Sequence, residues 1–249
     1  MNIFLTMPYF AEKVVSFCRE LEFHGTLPDG ISIMNPFREN GNVLPLVTEF
    51  YTRYYSDNNP RFMIIGINPG RFGAGLTGIP FTDTVRLKEK CGLTLPGIRS
   101  YETSSVFVYD LIERYGGPAL FYYDFYVTAV SPLGFTATGP KGRQVNYNYY
   151  DSRELSDAVT GFAVDSIKKQ LEFGIRREVC FCLGTGKNYS YLSKLNAEHH
   201  FFETIEPLDH PRFIMQYRLK MKDEYIEEYV KKFNSFKQKI RPAGNRKYL

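Results

Sequence analysis

The chain has 249 residues, of which 43% are hydrophobic and 16% aromatic, and its formal net charge is +4. This composition supports a large packed core and excludes a disordered or collagen-like polymer. No apolar run approaches the length of a membrane-spanning helix, so no membrane partner is expected, and the mild positive charge permits a nucleic-acid partner without requiring one. The first residues lack the charged, apolar and small-residue succession of a signal peptide, so the expected compartment is the cytoplasm, or the nucleus in a eukaryote.

The predicted elements alternate along the chain. Phe10, Val14, Phe17 and Leu21 recur at helical spacing and predict an opening amphipathic helix. Cys18, the first of four cysteines, lies on it. With Cys91, Cys180 and Cys182 it fits neither a zinc knuckle nor a disulfide framework, and all four read as buried thiols with no metal or cofactor. An iron–sulfur cluster would need all four thiolates to converge. After a turn-rich stretch through Pro28-Asp29-Gly30 and Asn35-Pro36, Leu46, Phe50 and Tyr54 mark a second helix.

Phe62-Met63-Ile64-Ile65 reads as a buried strand, too short for a helix. It runs into Gly66-Ile67-Asn68-Pro69-Gly70-Arg71-Phe72-Gly73-Ala74-Gly75-Leu76-Thr77-Gly78-Ile79-Pro80-Phe81. Pro69 biases Asn68 toward an extended conformation, and the glycines form a loop at the carboxyl end of the strand, where open α/β sheets bind ligands. Gly73-Ala74-Gly75-Leu76-Thr77-Gly78 spells a dinucleotide fingerprint. Its last glycine should open a helix whose N-terminus holds a pyrophosphate, but Ile79-Pro80 follows, so no dinucleotide site is expected.

Residues 106–115 predict a helix stopped by Gly116-Gly117-Pro118, and residues 125–131 a β-rich segment ended by Pro132. Residues 136–150 read as a long polar loop. A helix over residues 156–173 and a strand over 178–183 follow, then Gly184-Thr185-Gly186-Lys187, a helix through Tyr191 and Leu195, a fourth strand at 201–205 cut by Pro207, and a last helix carrying Met221, Tyr225, Tyr229 and Phe233. Strands separated by helices imply crossovers. The expected fold is α/β, a three-layer α/β/α sandwich around a central four-stranded parallel sheet. One domain is expected over residues 1–236, with an N-terminal helical extension over about 1–43 and a basic, flexible tail over 237–249.

The order of the four strand-end loops resembles the uracil-DNA glycosylase superfamily, and specifically its single-strand-selective monofunctional branch. The branch's first motif, G-M-N-P-G-x-F-G-x-x-x-T-G-x-P-F, is matched by Gly66-Ile67-Asn68-Pro69-Gly70, Phe72-Gly73, Thr77-Gly78 and Pro80-Phe81, and its terminal His-Pro motif by His210-Pro211. Val127 through Ser131-Pro132-Leu133 resembles the strand ending in Cys-Pro-Leu, and Leu183-Gly184-Thr185-Gly186-Lys187 the Gly-x-Gly-Arg turn. The resemblance spans residues 44–218.

The resemblance implies a cofactor-independent enzyme that flips a base out of DNA and hydrolyses its N-glycosidic bond. Asn68 would orient the attacking water, and His210 would donate a hydrogen bond to the departing base. Phe81 would stack on the base, with backbone amides near Gly70 and Phe72 adding contacts. Gly184, Gly186 and Lys187 would hold a backbone phosphate, and Pro211, Arg212 and Phe213 lie where the family inserts a wedge into the duplex. Where the family carries an asparagine that reads uracil, this chain has Ala129, so a broader set of deaminated bases is expected, with Thr128, Ser131 or Asn146 as substitutes. The expected partner is DNA, single- or double-stranded, containing uracil or another deaminated base, bound by a monomer. Two other readings stay open: a non-catalytic damaged-DNA-binding protein with this fold, and an N-glycosidase of free nucleosides or nucleotides.

Overall fold

The structure, a computed structural model, describes residues 9–240. In chain order the elements are α1 (Phe10–Glu20), β1 (Ile31–Met34), α2 (Pro36–Glu39), α3 (Val43–Tyr54), β2 (Arg61–Gly66), α4 (Ala74–Thr77), α5 (Thr84–Cys91), α6 (Thr103–Tyr115) and α7 (Pro118–Asp124). They continue as β3 (Phe125–Ala129), β4 (Gly134–Thr138), β5 (Gln144–Tyr147), α8 (Arg153–Leu171), β6 (Ile175–Leu183), α9 (Lys187–His199), β7 (Ile205–Leu208), α10 (Pro211–Tyr217) and α11 (Lys222–Ile240).

The central sheet has four parallel strands in the order β3-β2-β6-β7, as expected. Alternation along each strand sends neighbouring side chains to opposite faces. Phe125 and Phe181 meet Phe233 of α11, with ring centroids 4.5 and 4.7 Å away. The next residue on β3, Tyr126, turns the other way, toward Phe10 of α1 and the amide of Gln170 on α8. Helices thus cover both faces of the sheet. The opening helix belongs to the core, since Phe10, Val14 and Phe17 are all buried.

Arg61 starts β2 wholly buried, its guanidinium between the rings of Phe10 and Tyr55 at 4.6 and 4.7 Å. It donates to the carbonyls of Tyr122 and Asn59 and pairs with Asp57 at 2.9 Å, so the cation is fully partnered. All four cysteines are free and buried, and burial pushes the Cys18 and Cys182 thiols up to about 12.

Three sequence expectations are corrected. Residues 136–150 are not a structureless loop: β4 and β5 form a hairpin that joins β1 in a second, antiparallel sheet of order β1-β4-β5. Neither strand shows alternating burial, since β4 runs from buried to exposed and β5 from exposed to half-buried. The fourth strand runs over Ile205–Leu208 rather than 201–205, and it includes Pro207. As the edge strand it can spare an N–H, while Phe201 and Phe202 are buried in the preceding turn. The last helix continues to Ile240, past the expected boundary at 236, and Lys237 on it pairs with Asp124 at 2.5 Å. The rest of the expected tail, residues 241–249, lies outside the described residues.

Candidate active site

The carboxyl ends of β2 and β3, the β5 segment and the start of α10 converge on one cavity of about 310 Å³. Its walls include Asn68, Gly70, Phe81, Glu102, Ala129 and His210. A single pyrimidine ring leaves part of this volume empty. The back wall is formed by Phe17, Cys18 and Tyr51, so α1 and α3 close the chamber from behind.

Gly66 ends β2 without a side chain because a ring takes its place: a Cβ there would lie 2.9 Å from two carbons of Phe81. Phe81 itself sits at φ +52, an uncommon conformation for an aromatic residue. The surrounding turn holds it there. Thr77 Oγ1 donates to the carbonyl of Thr82 at 2.7 Å and accepts from the Ile79 N–H, and Thr82 Oγ1 bonds the Tyr109 hydroxyl. The glycine run contains one helical turn, α4, which ends at Gly78 in the left-handed region. The last glycine of the apparent dinucleotide fingerprint therefore closes a helix rather than opening one. Gly66→Ala is expected to displace the Phe81 ring, which lines the cavity beside His210, and slow the reaction of this site at least tenfold. A melting temperature within a few degrees of wild type, measured alongside, would assign the loss to the ring.

Asn68 is fixed at both ends of its amide. Oδ1 accepts from the Tyr149 N–H at 3.1 Å, and Nδ2 donates to the Tyr147 carbonyl at 3.2 Å and the Pro69 carbonyl at 3.3 Å. The hairpin that reads as a polar loop in the sequence thus aims this side chain. It is anchored in turn by Tyr149, whose hydroxyl donates to Asn188 Oδ1 at 2.7 Å on α9. The second lone pair of Asn68 Oδ1 remains for a water.

His210 is the N-cap of α10, with Pro211 at the first helical position. Its Nδ1 accepts the Arg212 backbone N–H at 3.1 Å, which leaves the ring proton on Nε2. Burial, and then the positive charge of Arg212, lower its pKa to about 4, so the imidazole is neutral at neutral pH. Its ring centroid lies 5.8 Å from that of Phe81. The site thus offers an aromatic floor, an N–H donor and a fixed amide oxygen.

The other expected site residues divide. Ala129, paired with Gly66 in the register, lines the cavity and offers no polar atom. Of its proposed substitutes, Thr128 is committed to Gln170 Oε1 at 2.6 Å and Ser131 to the Leu133 carbonyl at 2.8 Å. Asn146 lines the cavity, its Oδ1 taken by the Arg71 N–H at 3.0 Å. Phe72 does not share the cavity: its ring is exposed under the Arg71 guanidinium. Pro211 is buried, whereas Arg212 and Phe213 are exposed at the cavity mouth. Gly184, Gly186 and Lys187 stand outside the cavity on the same edge of the sheet, Gly184 at φ +117 and Lys187 Nζ 5.8 Å from the Tyr150 ring. Sequence reasoning missed Glu102, whose carboxyl is pushed up to about 7 by burial, then by Asp83, against the pull of Arg212. Nothing near it in the sequence marks it, because it reaches the loop from the start of α6.

The cavity lies at the carboxyl edge of a parallel α/β sheet, and the model of the uracil DNA glycosylase superfamily matches residues 52–234. The chain belongs to that superfamily. The crystal structure of wild-type SMUG2 from Pedobacter heparinus superposes with a TM-score of 0.91 at 49% identity, over 93% of this chain and 100% of that one. No curated protein matches the chain. Among the described residues no helix is long and apolar enough to cross a membrane.

Proposed function

We propose that the chain is a monofunctional DNA glycosylase of base excision repair. It hydrolyses the N-glycosidic bond of uracil or other deaminated bases flipped out of DNA. One observation carries the reading: a fixed asparagine amide and a neutral histidine bearing its proton on Nε2 share one cavity with an aromatic ring.

In the reaction proposed, the base stacks on Phe81 and its glycosidic bond breaks with the electron pair leaving on the base. Negative charge develops on a base carbonyl, and His210 Nε2–H donates to it. Asn68 Oδ1 holds a water whose oxygen bonds the electron-poor anomeric carbon, and the water's proton passes to solvent or the departing base. An amide is too weak a base to deprotonate water, so the scheme requires bond breaking to run ahead of attack. Ala129 reads no base edge, which supports release of more than one deaminated base. Arg212, Phe213 and Lys187 on the surrounding rim are assigned to the DNA strand.

Base release from single- and double-stranded oligonucleotides carrying uracil, hypoxanthine or xanthine tests this. Release that disappears in Asn68→Ala supports it; tight binding to such DNA without release by the wild type would favour a recognition protein instead. Turnover of free deoxyuridine at a comparable rate would favour a nucleoside hydrolase. Among the described residues no lysine lines the cavity, so borohydride is expected to trap no covalent adduct with DNA and the product should be an intact abasic strand. A trapped adduct on a gel would contradict the monofunctional assignment.

A further inference from the structure

We propose that Glu102 ranks the bases this cavity releases, donating as a carboxylic acid to the base edge beside Gly70 and so favouring deaminated purines over uracil. This deepens the glycosylase reading and rests on it. Glu102 occupies the N-cap of α6, yet its side chain makes no cap hydrogen bond. It reaches back over the first-motif loop. Oε1 lies 2.7 Å from where a Cβ of Gly70 would be, and Oε2 lies closer still to the corresponding point on Gly73. Those two glycines provide the space the carboxyl fills. Among the described residues no hydrogen bond reaches either carboxyl oxygen, and the residue lines the cavity.

A second donor stands at the same place. Asn146 Nδ2 is 3.6 Å from the same Cβ position on Gly70, and its amide cannot turn round because Oδ1 holds the Arg71 N–H. Two donors beside one glycine match two adjacent acceptors. Hypoxanthine and xanthine carry such a pair, the O6 carbonyl and the ring N7, whereas uracil presents O4 next to a C–H. The cavity of about 310 Å³ has room for a bicyclic base, and Ala129 offers the base no side-chain polar atom.

The charged groups facing Glu102 fix when it can donate. Asp83 Oδ2 accepts the Glu102 N–H at 2.7 Å and is itself clamped by Arg86, also at 2.7 Å, while Arg212 lies across the cavity. Burial and Asp83 outweigh Arg212, and the acid is half protonated near pH 7. Above that pH it ionises, loses its donor and repels the negative charge growing on the leaving base.

Single-turnover release of hypoxanthine and uracil from matched oligonucleotides, between about pH 6 and 8, tests the proposal on wild type, Glu102→Gln and Glu102→Ala. Wild-type release of hypoxanthine should decline through pH 7, and Glu102→Gln, which keeps a donor at every pH, should flatten that decline. Glu102→Ala should lower the hypoxanthine-to-uracil ratio about tenfold, the worth of one hydrogen bond to a buried acceptor. Equal loss for both bases, or weakened DNA binding with the ratio kept, would make Glu102 a support for the loop or a partner for Arg212 and overturn the assignment. Should Glu102→Ala fail to fold, an unchanged pH profile in Glu102→Gln is enough to overturn it. Wild-type release of neither base defeats the glycosylase reading itself, and this one with it.

Discussion

Asn68→Ala is expected to lower single-turnover base release by at least about 10²-fold, within the range found when one preorganised polar group is removed from an active site. The substitution removes the oxygen assigned to the water together with two hydrogen bonds that tie the end of β2 to the β5 segment and a third to the neighbouring Pro69 carbonyl. Asn68→Asp separates those roles. A carboxylate is the stronger base, so if basicity limited the reaction this variant would be faster. The geometry argues otherwise: the position held by Nδ2 faces the carbonyls of Tyr147 and Pro69, and an ionised oxygen there meets two acceptors and no donor. That pair raises the carboxyl's pKa and favours the protonated form, which donates as the amide does. Asn68→Asp should therefore be slower than wild type at neutral pH and recover as pH falls, the protonated form being present below its raised pKa and lost above it. A rate at or above wild type at pH 8 would show that Asn68 acts otherwise.

Asn68, Phe81 and His210 are legible in the sequence because each sits in a loop that follows a strand, within a motif whose punctuation is local. Proline and glycine mark these turns in the sequence itself. The central sheet is legible for a related reason, since β2 and the second half of β6 are continuous apolar runs between helices. What supports Asn68 is not legible. Tyr147 and Tyr149 act through backbone atoms, which any residue supplies, and their segment lies 79 and 81 residues away. Glu102 is hidden similarly, reaching Gly70 and Gly73 from another helix. The spelling of the glycine run misleads in one respect only: it suggests a phosphate loop, whereas Gly66, Gly70 and Gly73 give up side chains to make room for Phe81 and Glu102.

Replacing His210 by alanine is expected to slow release by about 10²–10³, the effect of losing one donor aimed at developing charge, with binding of DNA carrying an unhydrolysable base changed by no more than a few-fold. The same substitution has a second readout that depends only on the state of the ring. Burial and Arg212 lower the His210 pKa from 6.5 to about 4, so between these values the folded chain binds fewer protons than the unfolded one. Stability linked to His210 is therefore present above pH 6.5 and lost as pH falls toward 4. Glu102 has the opposite sign: its pKa is raised from 4.5 to about 7, so its contribution is present below pH 4.5 and lost as pH rises through 7. The two oppose each other over the shared window. His210→Ala leaves Glu102 acting alone, and its melting temperature should shift upward from pH 7 to pH 5 relative to the wild-type shift over the same interval. Equal shifts in the two proteins would mean that the imidazole is not held neutral. In that case the ring would become a cation below about pH 6.5, and only there would the slow release of His210→Ala measure the loss of a charge rather than of a neutral hydrogen bond.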